Sequence, residues 1–245
     1  MAATTTPIPV YTVKDVKQLA KDLLDAETND YWSDAEQTRW INQANLYVYR
    51  KLIKTNPELF LSVTDVSVPS NADFLTITDA APNGLGEEPY KILAVVEKPT
   101  SGAVSNSNRP WDWLPMRFTE RSQRHRQASS LGNWSTTYYC LQGDRFYVAP
   151  TPGNGRTIEI AWIPKPLELK HDTSDDDPND EVLNGKAEAW GDAVAYRLAW
   201  LMNAKQDGDN PIVQQLWAET EMQLEGTANT RTIQRPRRVI TRRSG

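Results

Sequence analysis

The chain has 245 residues, with 27 Lys and Arg against 32 Asp and Glu, and 39% of it is hydrophobic. These figures describe a folded chain long enough to bury a core, and they exclude wholesale disorder and a collagen-like rod. A single cysteine, Cys140, excludes an internal disulfide and a cysteine-built zinc site.

In chain order, residues 1–11 are Thr- and Pro-rich and read as an extended leader, without the basic-then-apolar order of a signal peptide. Thr12 and Asp15 form a capping pair that opens an amphipathic helix, with Val13, Val16, Leu19, Ala20, Leu23 and Leu24 at helical spacing. Ser33 and Glu36 open a second helix along Ile41, Ala44, Val48 and Leu52, which Asn56-Pro57 stops. The first sixty residues are therefore expected to form a helical hairpin, with helix over 12–57.

From Phe60 the hydrophobic period changes to two. Short strands are expected at Leu61–Val63, Val66–Val68, Phe74–Thr78, Ile92–Val96, Tyr138–Leu141, Arg145–Ala149 and Thr157–Ile163. Gln142-Gly143-Asp144 marks a hairpin turn, and the polar stretch 97–110 a long exposed loop. After Pro164-Lys165-Pro166 and an acidic loop from His171 to Glu181, a third helix is expected from residue 180. Leu183, Ala187, Trp190, Val194, Leu198 and Leu201 make one face of it. Asp209-Asn210-Pro211 starts a fourth helix, expected to stop at Gly226. The expectation is one α+β domain over 12–226. Its N- and C-terminal helix pairs (12–57 and 180–226) form a bundle packed with a central antiparallel sandwich or barrel-like region over 60–166, and an arm follows at 227–245.

Catalytic signatures are absent. The chain has no Walker loop, GxGxxG, HExxH or GxSxG, and its two histidines lie 46 positions apart, so neither an enzyme nor a cofactor is expected. Asp172, Asp175, Asp176, Asp177, Asp180 and Glu181 invite a calcium reading. An EF-hand loop begun at Asp175 would need Gly and Glu where Asp180 and Lys186 stand, so a solvated loop is favoured. Trp111, Trp113 and Trp134 suit either interface packing or sugar stacking. The run Met116–Arg126, with Arg117, Arg121, Arg124 and Arg126, suits either phosphate contact or plain solvation.

Charge distribution is the sharpest feature. The last fifteen residues hold Arg231, Arg235, Arg237, Arg238, Arg242 and Arg243 and no acid, which leaves 21 basic against 32 acidic residues in 1–230, a net of −11. Such an arm is too poor in apolar surface to fold alone. It reads as a solubilising tail, a nucleic-acid arm or a segment that orders on a partner. Val239-Ile240 between arginines has the alternation of a strand added to another sheet's edge.

The segments Tyr138–Pro152 (YYCLQGDRFYVAPTP) and Ile158–Leu167 (IEIAWIPKPL), with the Trp40-Ile41-Asn42-Gln43-Ala44 helix, resemble the head-to-tail adaptor (connector) proteins of tailed bacteriophages, similar to the tail tubular protein A group. The resemblance covers most of residues 12–225. It implies a structural protein of the virion, assembled in the host cytoplasm and placed at the head-tail junction. It further implies a homo-oligomeric ring, commonly a dodecamer, between the portal protein and a tail or nozzle protein, close to genomic DNA and without a membrane. On this reading Arg231, Arg235, Arg237, Arg238, Val239, Ile240, Arg242 and Arg243 are the portal-binding arm. Trp111, Trp113, Arg117, Arg121, Arg124 and Arg126 form a tail-contact or channel loop. The alternatives are a carbohydrate-binding or nozzle component and, further off, a polysaccharide hydrolase using the acidic loop.

Overall fold

The structure, a computed structural model, describes residues 11–26, 32–72, 74–98, 114–115, 117–118, 138–149, 155–170, 181–206, 208 and 210–231, with the backbone alone at 114–115, 117–118, 188 and 227–231. Among these residues the fold is α+β, with four α-helices and eight strands. They fall into two compact units, one made from the chain's two ends (Met1–Phe60 and Pro166–Gly245) and one from the contiguous stretch Leu61–Lys165.

In the helical unit, α1 (Val13–Leu23) opens with the expected capping box. Asp15 N donates to Thr12 Oγ1 at 3.2 Å while Thr12 N donates to Asp15 Oδ2 at 3.0 Å. Ser33 and Glu36 do the same for α2 (Asp34–Thr55). These reciprocal bonds satisfy backbone donors that a helix start otherwise leaves open. Beyond α2, Pro57–Phe60 forms a 3-10 turn that seats buried Phe60 on Tyr49, ring centroids 4.2 Å apart.

The hairpin expectation needs correction. α1 packs chiefly against α3 (Gly191–Lys205), not α2, and buries Val13, Val16 and Ala20. α3 is central to the unit. Ala193, Val194, Ala195, Leu198, Ala199 and Met202 are all buried, covering more of its circumference than one stripe would. Gly191 starts it because a Cβ there would come within 2.2 Å of the Tyr11 ring.

The third helix begins at Gly191, not at 180. Leu183, Asn184 and Gly185 have φ of 55°, 56° and 63°, left-handed values that a right-handed helix cannot contain, and two short 3-10 turns (Val182–Gly185 and Glu188–Trp190) occupy the expected first turns. A left-handed Leu costs about 1–2 kcal/mol. Full burial of its side chain and a 2.8 Å hydrogen bond from Leu183 N to Asn45 Oδ1 offset that cost. The fourth helix, α4 (Pro211–Arg231), starts as expected at Asn210. The Asn210 side-chain oxygen accepts from Ile212 N and Val213 N, with Pro211 at the first helical position. It does not stop at Gly226. The helix runs on to Arg231, so the first residues assigned to the arm are helical.

In the second unit, β1 (Ser62–Val68), β8 (Arg156–Pro164), β3 (Pro89–Lys98) and β4 (Leu114–Pro115) form one sheet in the order β1-β8-β3-β4. The other sheet has the order β2-β7-β6-β5, from β2 (Phe74–Thr76), β5 (Arg117–Phe118), β6 (Tyr138–Gln142) and β7 (Arg145–Ala149). Pairing is antiparallel throughout except between β5 and β6. Both sheets contribute to one core, which includes Val66, Val95, Ile158, Ile160 and Trp162 from the first and Leu75, Phe146 and Val148 from the second. The two short strands expected at 61–63 and 66–68 are one continuous strand, because β8 pairs with it residue by residue from Ser62 to Val68. Gly143 takes φ 59° at the first central position of the β6–β7 turn, as the two-residue hairpin requires.

Candidate interaction surfaces

The sequence-derived site residues fall mostly outside the described residues. Trp111, Trp113, Trp134, Arg121, Arg124, Arg126 and the acidic residues 172–180 lie there, as do Arg235, Arg237, Arg238, Val239, Ile240, Arg242 and Arg243. Arg117 is placed by its backbone in β5, and Arg231 by its backbone at the end of α4. What the structure does bring together are polar constellations within the helical unit that sequence reading did not find.

The first is a pair of asparagines one turn apart on α2. Asn42 offers its amide like a strand partner. Leu169 N donates to Asn42 Oδ1 at 2.8 Å, and Asn42 Nδ2 donates to Leu169 O at 2.9 Å. Buried Asn45 holds Leu183 N. Asn184 then accepts from Leu167 N at 3.0 Å. Three side-chain amides thus fix the segments on either side of the acidic loop, each satisfying backbone groups that burial would otherwise leave costly.

The second constellation surrounds Arg197 on α3. Its guanidinium lies 4.6 Å from the Tyr47 ring, 4.2 Å from Trp200 and 4.8 Å from Trp217, so rings from α2, α3 and α4 converge on one cation. Its Nε is buried without a hydrogen-bond partner, and burial pulls its pKa below the usual arginine value, against the pull of Tyr47 and Glu221. The group keeps its charge at neutral pH, and the faces of three rings supply much of what water would have supplied. Beside it the Tyr47 hydroxyl donates to Glu221, while Lys51 pairs with Glu221 at 3.6 Å and with Glu225 at 2.6 Å. Burial, followed by the bond to Glu221, raises the Tyr47 pKa. Trp200 and Trp217 carry no unusual local motif. The signal available was the helical spacing of Trp217 with Val213 and Leu224, which places it on the buried face of α4.

The third lies between α3 and α4, a groove of about 470 Å³ whose lining includes Trp190, Asp192, Tyr196, Glu219, Thr220 and Gln223. Asp192 belongs to the first turn of α3, where a negative charge suits the helix terminus. Its Oδ1 accepts from Ala193 N at 2.9 Å, and burial raises its pKa despite that bond. Glu219 is exposed and accepts from Gln215 at 2.8 Å, and the Thr220 hydroxyl is spent on Leu216 O. The groove is therefore lined by carboxylates and aromatic side chains together.

Among the described residues no helix is long and apolar enough to cross a membrane, and no group of His, Cys, Asp and Glu is placed to hold a metal. No curated protein matches the chain. The model of one family does, over residues 11–242, which takes in both compact units and the basic segment as far as Arg242. The chain belongs to the SU10 adaptor protein family, structural adaptors of bacteriophage virions that work in contact with other virion proteins, and membership of a structural family implies a non-enzymatic role.

Proposed function

We propose that the chain is the subunit of a homo-oligomeric ring, a dodecamer, at the head-tail junction, set between the portal protein and a tail or nozzle protein around the path of genomic DNA. The carrying observation is the extent of the family match. It runs through Arg242, and this span supports reading Arg231, Arg235, Arg237, Arg238, Val239, Ile240 and Arg242 as a working part of the adaptor. The charge split supports the same reading. A basic segment without acids is suited to pair with acidic protein surface, and an acidic body disfavours DNA sticking to a channel wall. Repetition around a ring would convert weak single contacts into a durable joint. Trp111, Trp113, Arg117, Arg121, Arg124 and Arg126 are assigned to the contact with the tail or the channel.

The test is negative-stain microscopy of the full chain mixed with purified portal rings. A ring added to one end of the portal is expected, and its loss on deletion of residues 231–245 with the thermal melt preserved. A deleted chain that still joins the portal normally would remove the arm assignment. A full chain that never joins it would remove the adaptor position.

A further inference from the structure

The groove between α3 and α4 carries an unmet charge. Asp192 has no cationic partner among the described residues and is partly buried. Glu219, which lines the same groove, is bonded among the described residues to the neutral Gln215. A groove lined by two carboxylates and by Trp190 and Tyr196 matches a guanidinium, which accepts ring stacking on its faces while donating to carboxylate oxygens at its edge. The same unit already holds one guanidinium among rings, that of Arg197.

The chain supplies a complementary ligand. After α4 come residues 232–245, with Arg235, Arg237, Arg238, Arg242 and Arg243 and no acid. Glu219 lies twelve residues before the helix end at Arg231, about 18 Å at the helical rise. A returning extended strand covers that distance in about six residues. Arg237, Arg238 and Arg242 therefore have the tether to reach the groove of their own molecule. Attachment to the same chain raises the effective concentration to roughly millimolar, so a contact too weak to form between molecules still forms within one.

We propose that in the free protein the C-terminal segment docks back on its own helical unit, with an arginine of 237–242 in the groove between Asp192 and Glu219. The contact goes beyond the adaptor assignment and stands without it. Combined with that assignment, it makes the body a holder that keeps the arm occupied until an acidic partner surface competes for it.

The experiment uses the full chain in two formats that involve no portal. In limited trypsin digestion at low salt, release of fragments cut after Arg237, Arg238, Arg242 and Arg243 is followed by mass spectrometry, since a docked arginine cannot enter the protease; the Arg235-Pro236 bond is not a trypsin site. The double variant Asp192→Asn/Glu219→Gln is expected to release them about fivefold faster than the unaltered chain. Glu87→Gln, which removes an exposed acid in the other unit, is expected to change nothing. Protection should be independent of protein concentration. Equal rates in the groove variant and the unaltered chain overturn the proposal. So does an equal gain in the Glu87 variant, which would mean diffuse attraction to an acidic body. Protection that grows with concentration would assign the contact to a second copy and overturn it as stated. Should the groove variant misfold, carbodiimide footprinting of Asp192 and Glu219 is compared between the unaltered chain and Arg235→Gln/Arg237→Gln/Arg238→Gln/Arg242→Gln. Several-fold more labelling at both carboxylates is expected in the variant, with Glu87 as the internal standard. Unchanged labelling overturns the proposal.

Discussion

The two compact units place their polar groups in opposite ways. The β unit keeps its core apolar and its charges on strand faces, where Lys98 of β3 bonds Asp65 of β1 at 2.6 Å and Glu159 of β8 at 3.2 Å. The helical unit puts amides and a guanidinium inside. Asn45 is buried against the backbone of Leu183, and Arg197 sits among three rings. Connectivity explains the contrast. The β unit is one contiguous stretch in which ladder hydrogen bonds set the register of neighbouring strands. The helical unit must bring together two ends of the chain, and helices offer one another no backbone bonds. Directional side chains then do for helix-to-segment register what the ladder does for strands.

The largest test strikes the apolar side of the contrast. Phe146, fully buried and stacked on Tyr139 at 5.4 Å, closes the β core. Phe146→Ala should cost about 3–5 kcal/mol through lost burial and the cavity left behind, measured by urea denaturation. Next comes the polar side. Asn45→Ala removes the acceptor for Leu183 N in a turn already held left-handed, and should cost about 2–3 kcal/mol; Asn45→Asp, which keeps the acceptor, should recover part of the loss. If Asn45→Ala melted like the unaltered chain, the amide would be incidental and the contrast would fail. Arg197→Ala should cost about 2 kcal/mol, with Arg197→Met recovering roughly half by filling the space between the rings.

Particular residues show how far the sequence reaches. The capping boxes at Thr12 and Ser33, the Asn210-Pro211 start and the Gly143 turn were legible because each is a local rule that tertiary packing did not override. The start of α3 was not. The apolar period runs without a break from Leu183 through Leu198 and masks the turn signal of Asn184-Gly185, while the left-handed Leu183 is held by Asn45, 138 positions away. Gly226 misled in the opposite direction. Glycine is the usual helix stop, yet here it stays helical on a face where nothing lies near the position a Cβ would take. For the interaction surfaces, the arm was legible from composition alone. The Arg197 box and the Asp192 groove were not, since each residue taken singly is an ordinary member of an amphipathic helix, and only the packing of α2, α3 and α4 joins them.

A smaller effect probes the charged face of the β unit. Asp65 and Glu159 stand directly opposite each other across β1 and β8, a like-charge pairing that costs stability unless a cation bridges it. Lys98 is that cation. Burial works against its charge, but hydrogen bonds to Asp65 and then Glu159 outweigh it and raise its pKa. Lys98→Met should cost about 1 kcal/mol, and adding Asp65→Asn should restore most of it by removing the repulsion. A double variant no more stable than Lys98→Met alone would show that the lysine acts by packing its stem.

The smallest expected effect lies on the surface of the helical unit, where Lys205 pairs with Glu36 at 2.5 Å and Lys51 with Glu225 at 2.6 Å. Both carboxylates have pKa values below the usual range, each chiefly through its hydrogen bond from the lysine, and Lys51 is pushed up to about 12, first by Glu225. The signs follow from linkage. A carboxylate whose folded pKa is lowered contributes stability that is present above its unfolded value and lost as pH falls through the folded one. A lysine whose folded pKa is raised contributes stability that is present below its unfolded value and lost as pH rises through about 12. Melting temperature against pH should therefore be flat through neutrality with a shallow fall on the acid side, and Glu36→Gln with Glu225→Gln should flatten that fall while barely moving the neutral value, as exposed pairs are strongly screened. If the double variant lost as much at neutral pH as Asn45→Ala does, the exterior ion pairs and not the interior amides would be holding the chain ends together.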